Sequence, residues 1–364
     1  MDRTPPVVPR PAIQRRALLA YLVGAGVASA TILDDPDVRI SDLSRSHLVL
    51  SVRLGTDAHV IVKRARARPG EVSGNLHREL CAYRLAAGHE RLAAAMPALR
   101  WADLARQVLV IDAVEPGVTL FDDAHARGRP SPVLARRLGQ LAAGWHRSTR
   151  DLPTAATGIA GARPRPGMLP AEEPWVLGIL TPGRWRPAVS DHLLVHGPIR
   201  RELRAHFAEL REALEPSCVV HGDLKWDNCL VDAADGVRVI DWEQAAVGDP
   251  AWDVAGILQE HVAFLRSAAP HDRWEEPFPE RQIPGAVDGW PAGFLAAYLD
   301  AAAPRARARF TERATRLAGA RLVQTALEHA AVSADQRLAR RLLADALAIL
   351  RDPHLLLPPG TGAG

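Results

Sequence analysis

After a Pro-rich stretch over residues 1–12, the chain settles into alternation. Runs of period two, "VRISDL", "HLVLSVRL" and "HVIVKRA", occupy Val38 to Ala65, with Gly55-Thr56-Asp57 as a turn before the third. Alternation sets one face of a strand on a core and the other in water, so these runs predict an antiparallel meander. Helical spacing takes over in "SGNLHRELCAYRLAAGHERLAAAM", and "RQVLVIDAV" returns to a strand before Glu115-Pro116-Gly117 interrupts the pattern. The strongest helical stripe follows in "SPVLARRLGQLAAGWHRSTRDL", where Leu134, Leu138, Leu141, Ala142 and Trp145 share a face and Pro132 suits a first turn. Beyond Gln244 the chain reads as mainly helical to "LLADALAILRD".

These elements predict an α+β, bilobal chain. A small antiparallel-sheet lobe covers residues 38–114, and a larger, mainly helical lobe covers 115–352, carrying a Pro- and Gly-rich insertion over 153–198. An extension with a first helix, residues 1–37, precedes them, and a loose tail, 353–364, follows. "RRALLAYLVGAGVASA" imitates a signal peptide with its two arginines and apolar run. Tyr21 and two glycines interrupt a run already short for a bilayer, so a helix ending near Gly24 or Gly26 is expected instead.

Composition narrows the partners. The 45 Lys+Arg against 42 Asp+Glu leave a net charge of +3, with no long run of either sign, so no nucleic-acid or membrane partner is expected. Cys81, Cys218 and Cys229 have neither CxxC spacing nor histidine clustering, which supports no disulfide framework or zinc site and fits a cytoplasmic protein.

The chemistry concentrates in "VVHGDLKWDNCLVDAADGVRVIDWEQ", Val219 to Gln244. Asp223, Asp227, Asn228, Asp232 and Asp241 lie close together there, and carboxylates so placed repel unless something positive sits among them. "NCLVD" and "VRVID" read as a hairpin around Ala233-Ala234-Asp235-Gly236. A turn centred between Ala234 and Asp235 sets Asn228 opposite Asp241. Two hard oxygen ligands suit magnesium, which completes its shell with phosphate oxygens and water. Asp223, on the loop entering the hairpin, is then placed to meet an acceptor hydroxyl, and the set describes phosphoryl transfer.

"HGDLKWDN", "IDWE" and "GDPAWDVA" resemble the catalytic loop, metal-binding segment and following helix of the kinase-like aminoglycoside phosphotransferase and choline kinase superfamily. The resemblance runs over roughly residues 38 to 350 and implies a protein-kinase-like fold using ATP and Mg2+. It implies that Asp223 positions or deprotonates the acceptor, that Asn228 and Asp241 hold magnesium, and that Asp253 braces the loop. It further implies that Lys63, ending "VIVK", binds the α- and β-phosphates with Glu79 as its ion-pair partner, Glu71 being the weaker choice. "VIDAVEPG" becomes a hinge with the backbone of Asp112 and Val114 facing adenine. The loop Ser44-Arg45-Ser46-His47 has no glycine, so Ser44 and Ser46 are the expected phosphate contacts there. Gly222 stands where protein kinases carry an arginine that reads a phosphorylated loop. Lys225 matches the "DLK" arrangement in which an ammonium neutralises the migrating phosphoryl group.

The acceptor stays open between two classes. A small molecule with a hydroxyl, such as an antibiotic, sugar or amino alcohol, is one. The other is Ser or Thr of a ribosomal precursor peptide, because "DWEQAAVGDPAWDVAGILQEHVAFL" also resembles stand-alone kinases of ribosomal-peptide pathways. Past Val262 acids mix with many arginines, which argues against a polycation. A non-catalytic pseudokinase is opposed by the intact Lys63, Asp223, Asn228 and Asp241. The elements expected to read the acceptor are Gly158 to Asp191 and His271 to Trp290, with Trp175, Trp185, Trp274 and Trp290.

Overall fold

The computed structural model describes residues 15–44, 48–55, 58–65, 74–150, 169–181, 197–268, 289–333 and 335–357. Ser46, Glu71, Trp185, Trp274 and most of the two expected acceptor elements lie outside them. The chain forms two compact units, residues 1–76 with 98–113, and residues 77–97 with 114–364.

The first unit is built on one antiparallel sheet. Its strands β1 (Arg39–Asp42), β2 (Leu48–Leu54), β3 (Ala58–Arg64), β4 (Leu99–Asp103) and β5 (Val108–Asp112) lie in the order β1-β2-β3-β5-β4. The register Leu50↔Val62 and Val52↔Val60 gathers the apolar residues of the alternation on one face. Helix α1 (Arg15–Gly24) covers that face with Leu19 and Leu22, both fully buried. It ends at Gly24 as expected, and among the described residues no helix is long and apolar enough to cross a membrane. β4 had no sequence signal: "LRWAD" carries Arg100 and a 40 % exposed Trp101, and a register shift after Leu99 breaks its alternation. The helical stretch after residue 73 divides into α2 (Gly74–Ala86) and α3 (Glu90–Ala93) around Gly88.

In the second unit, β6 (Pro116–Thr119) and α4 (Leu120–Arg127) precede α5 (Pro132–Ser148), and the segment Leu169–Thr181 contains α6 (Trp175–Gly178). Then come α7 (Gly197–Glu212), β7 (Cys218–Val220), β8 (Cys229–Asp232), β9 (Val237–Val239) and β10 (Ala246–Gly248). The chain closes with α8 (Pro250–Ala268), α9 (Trp290–Ala302), α10 (Arg307–Val332) and α11 (Arg337–Arg351). α5 starts as its sequence dictates: the Ser131 hydroxyl accepts from Leu134 N, and Pro132 follows. It is buried along Leu134, Leu138, Ala142 and Trp145. α9 packs on it so closely at Gly139 that a Cβ there would lie 2.4 Å from Phe294 O.

The hairpin forms with a register different from the expected one. The pairs are Cys229↔Val239, Leu230↔Arg238 and Val231↔Val237. Asp232 is drawn into the turn, its Oδ1 accepting from Ala234 N at 3.0 Å and Gly236 N at 2.7 Å, while Asp235 takes a left-handed φ of 54°. The register is therefore centred on Ala234 and not between Ala234 and Asp235. Asn228 faces Ile240, whose N–H donates to its carbonyl at 2.9 Å, and not Asp241.

Candidate active site

The loop between β7 and β8 is fixed from below by α8. Asp253, fully buried, accepts from His221 N at 2.7 Å and Gly222 N at 3.0 Å, and its Oδ2 lies 3.1 Å from Nε2 of His146 on α5. Burial pushes this carboxyl up, but the His146 contact and the neighbouring His221 hold it below the ordinary carboxylate range. His221 donates through Nε2 to Ile240 O and accepts at Nδ1 from Asp223 N. Gly222 has φ +82°, and a Cβ there would lie 2.4 Å from Gln244 O. Only glycine lets the two segments approach so closely.

Asp223 leaves this brace with a cation at each carboxylate oxygen. Lys225 Nζ is 2.8 Å from Oδ2, and Arg321 Nη2, from α10, is 3.2 Å from Oδ1. Burial raises the carboxyl, and Arg321 and Lys225 more than offset it, so Asp223 is held below its ordinary value. Asn228 is buried and donates Nδ2 to Asp223 O at 2.9 Å, which turns its Oδ1 to the opposite side. Asp241 follows β9 in a left-handed conformation, φ 67°. Burial pushes the Tyr83 phenol up, with Glu79 and Asp241 adding to the effect, so these two carboxylates share one neighbour in the second unit. Glu79 itself is buried on α2.

The remaining predicted positions are divided between the units. In the first, Lys63 sits in β3 opposite Val49 and Leu109. The Ser44 hydroxyl accepts from Val49 N at 2.9 Å and so closes the β1–β2 turn. Asp112 ends β5; its N–H donates to Ala98 O and its carboxylate holds Arg100. Val114 opens the following stretch of the second unit.

Beside Asp223 the second unit has a pocket of about 230 Å³. Glu172, Glu173, Asp223, Glu243, Asp249 and Glu328 line it, together with Trp175 and Trp252, and no Lys, Arg or His does so among the described residues. Their cations stand behind the wall: Arg78 pairs with Glu172, Arg211 with Glu173 and Arg313 with Asp249. Residues 170–172 hold the rim through Val247, which donates to Pro170 O and accepts from Glu172 N. Trp175 is half exposed at this rim. Trp290, expected to be exposed, is instead a core residue, 1 % exposed, stacked on His261 and donating to Ser131 O. The sequence reading also passed over Glu243, two residues from Asp241. Arg321, Trp252 and Glu328 gave no signal, because helical spacing accounts for them equally well.

Residues 40–310 match the model of the phosphotransferase enzyme family. Viomycin phosphotransferase of Streptomyces vinaceus is 49 % identical over 45 residues, which cover 11 % of this chain and 16 % of that protein. Among solved structures, the ethanolamine kinase of Plasmodium vivax superposes with a TM-score of 0.59 at 13 % identity, covering 93 % of this chain and 89 % of that one. A macrolide 2'-phosphotransferase of Brachybacterium faecium superposes at 0.53 with 20 % identity, covering 90 % and 97 %. At these identities the superpositions speak for the fold.

Proposed function

Since the chain belongs to the phosphotransferase enzyme family, we propose that it moves the γ-phosphate of ATP to a hydroxyl of a small, amine-bearing molecule held in the pocket beside Asp223. The observation that carries this reading is the lining: among the described residues six carboxylates and no basic side chain face the pocket, four of the six paired with cations outside the lining, and this supports a cationic ligand. Five of them, Glu172, Glu173, Asp223, Glu243 and Asp249, come from before Val262, outside the region whose mixed charges argued against a polycation.

The acceptor hydroxyl donates to the Asp223 carboxylate, which turns an oxygen lone pair towards the γ-phosphorus. The acceptor oxygen bonds to that phosphorus as the bond to the β–γ bridging oxygen breaks, ADP leaves, and the hydroxyl proton passes to Asp223 or to water. A carboxylate held below its ordinary value is a weak base, so Asp223 acts mainly by orienting the hydroxyl. Lys225 lies close enough to exchange Asp223 Oδ2 for a phosphoryl oxygen and screen its charge. Lys63, supported by Glu79, holds the α- and β-phosphates; the carbonyl of Asp112 and the N–H of Val114 face the base. A phosphate contact from Ser44 requires its hydroxyl to leave Val49, and Ser46 is the other candidate on that loop.

The donors present fit magnesium: Asn228 Oδ1 and the Asp241 carboxylate are hard oxygens, with the Asn228 amide already oriented. Bound there, magnesium supplies charge neutralisation on the phosphates.

The test is an acceptor screen with Mg·ATP, scoring ADP release over the water background for amino alcohols, amine-bearing sugars and peptides, and Ser/Thr peptides without basic residues. Release above background with amine-bearing alcohols supports the reading. Release with neutral peptides alone replaces it by the peptide-kinase reading.

A further inference from the structure

Arg321 enters the site from a remote part of the chain, 98 residues beyond Asp223. Its side chain is 4 % exposed, and Nη2 lies 3.2 Å from Asp223 Oδ1 and 3.4 Å from Leu224 O. The guanidinium lies over the Trp252 ring, 4.9 Å from its centroid, and that indole donates to Gly222 O at 2.8 Å. One arginine thus reaches three consecutive loop residues, two directly and one through Trp252. α8 leaves room for this at Gly256, where a Cβ would lie 2.1 Å from Leu224 O and 3.4 Å from Arg321 Nη2.

Burying a guanidinium carries a desolvation penalty that pairing offsets only partly, and an apolar side chain of similar volume serves stability as well or better. Stability alone therefore does not explain Arg321. The two cations on Asp223 also differ in kind. Lys225 belongs to the same loop, on a flexible stem with its side chain 33 % exposed, so it is free to change partner. Arg321 is rigid: it sits on a 26-residue helix, stacked on an indole and with its planar fork pre-organised.

We propose that Arg321 is the positioning residue of this site, holding Asp223 Oδ1 and the Leu224 carbonyl so that Oδ2 is the oxygen offered to the acceptor once Lys225 turns to the phosphate. The inference rests on the phosphotransferase reading above. Arg321 touches neither substrate. Its loss leaves nucleotide binding intact and misorients the carboxylate, and misplacement of about 1 Å can slow a reaction by about 100-fold.

The experiment is a double-mutant cycle on the full chain, using Mg·ATP with water as acceptor so that no identified substrate is needed. ADP release is measured for wild type, Arg321→Gln, Arg321→Lys, Asp223→Asn and the pair Arg321→Gln/Asp223→Asn, and ATP affinity by calorimetry. Arg321→Gln is expected to lower kcat by about 10- to 100-fold with the KM for ATP within about twofold, and Arg321→Lys to recover part of the loss. In the Asp223→Asn background, Arg321→Gln is expected to cost less than about threefold, because a residue acting through Asp223 has nothing left to position. Wild-type kcat in Arg321→Gln, or losses that multiply in the double variant, overturn the proposal and leave the phosphotransferase reading standing. A wild type that consumes no ATP with water or any alcohol removes that reading, and this inference with it. Where Arg321→Gln fails to fold, Arg321→Lys carries the same cycle.

Discussion

Asp223 and Asp241 are both aspartates of one short segment, yet their surroundings give them separate tasks. Asp223 has Lys225 and Arg321 on its oxygens, whereas Asp241 stands at a strand end in a left-handed conformation beside Tyr83. Asp223→Asn is therefore expected to bind Mg·ATP with wild-type affinity and transfer phosphate at least ~100-fold more slowly. Calorimetry beside a rate assay separates the roles: lost nucleotide binding in a folded Asp223→Asn makes it a ligand for the nucleotide complex. Asp241→Asn is expected to remove magnesium-dependent turnover with an unchanged circular dichroism spectrum, since the proposed function makes this carboxylate the charged metal ligand. Near-normal turnover in that folded variant rejects the metal assignment. At this scale the sequence could single out Asp223, Lys225 and Asn228 because they lie within one loop, and the structure brings the three into contact there. Arg321 was illegible because its partner is 98 residues away, and an arginine on a helix carries no mark of what it touches.

Among the elements, the meander, α5 and the hairpin were readable because alternation, the Ser131-Pro132 start and turn residues are local signals. The hairpin register was not, because it turns on Asp232 capping two backbone N–H groups and centring the turn on Ala234. That slip exchanges Asp241 for Ile240 opposite Asn228, so cross-strand pairing is not what relates the two proposed ligands. β4 escaped because polar edge residues hide its alternation. Backbone packing supplies the prediction at this level. Gly256→Ala sets a Cβ where Leu224 O lies 2.1 Å away, so the loop between β7 and β8 must shift from α8. A loss of ~1–3 kcal/mol is expected, with Tm lower by several degrees. Gly293→Ala on α9 is the control, since nothing lies within 4 Å of its added methyl and helix propensity favours alanine. Equal melting temperatures for the two variants in thermal unfolding reject the close-packing account.

The molecule as a whole is mildly basic at +3, while the charged residues lining the pocket beside Asp223 are all acidic among the described residues. That local reversal lay outside what composition tells, because Glu172, Glu173, Glu243 and Glu328 meet only when the chain folds. It predicts a charge-selective acceptor site. Glu243→Gln combined with Glu328→Gln should raise the KM of an amine-bearing acceptor by about tenfold or more and leave the KM of ATP within about twofold, as loss of ground-state attraction does. Equal acceptor KM values for this variant and the wild type remove the charge argument. The central claim, transfer from ATP to a hydroxyl of a small cationic molecule, is tested most directly by phosphorus NMR of the wild-type chain incubated with Mg·ATP. Matched pairs of alcohols, alike except for an amine, serve as acceptors. The account predicts a new phosphomonoester signal with the amine-bearing member, weaker or absent with its neutral partner, and lost in Asp223→Asn. A phosphomonoester formed equally from both members, or from neither while a Ser/Thr peptide is phosphorylated, would contradict it.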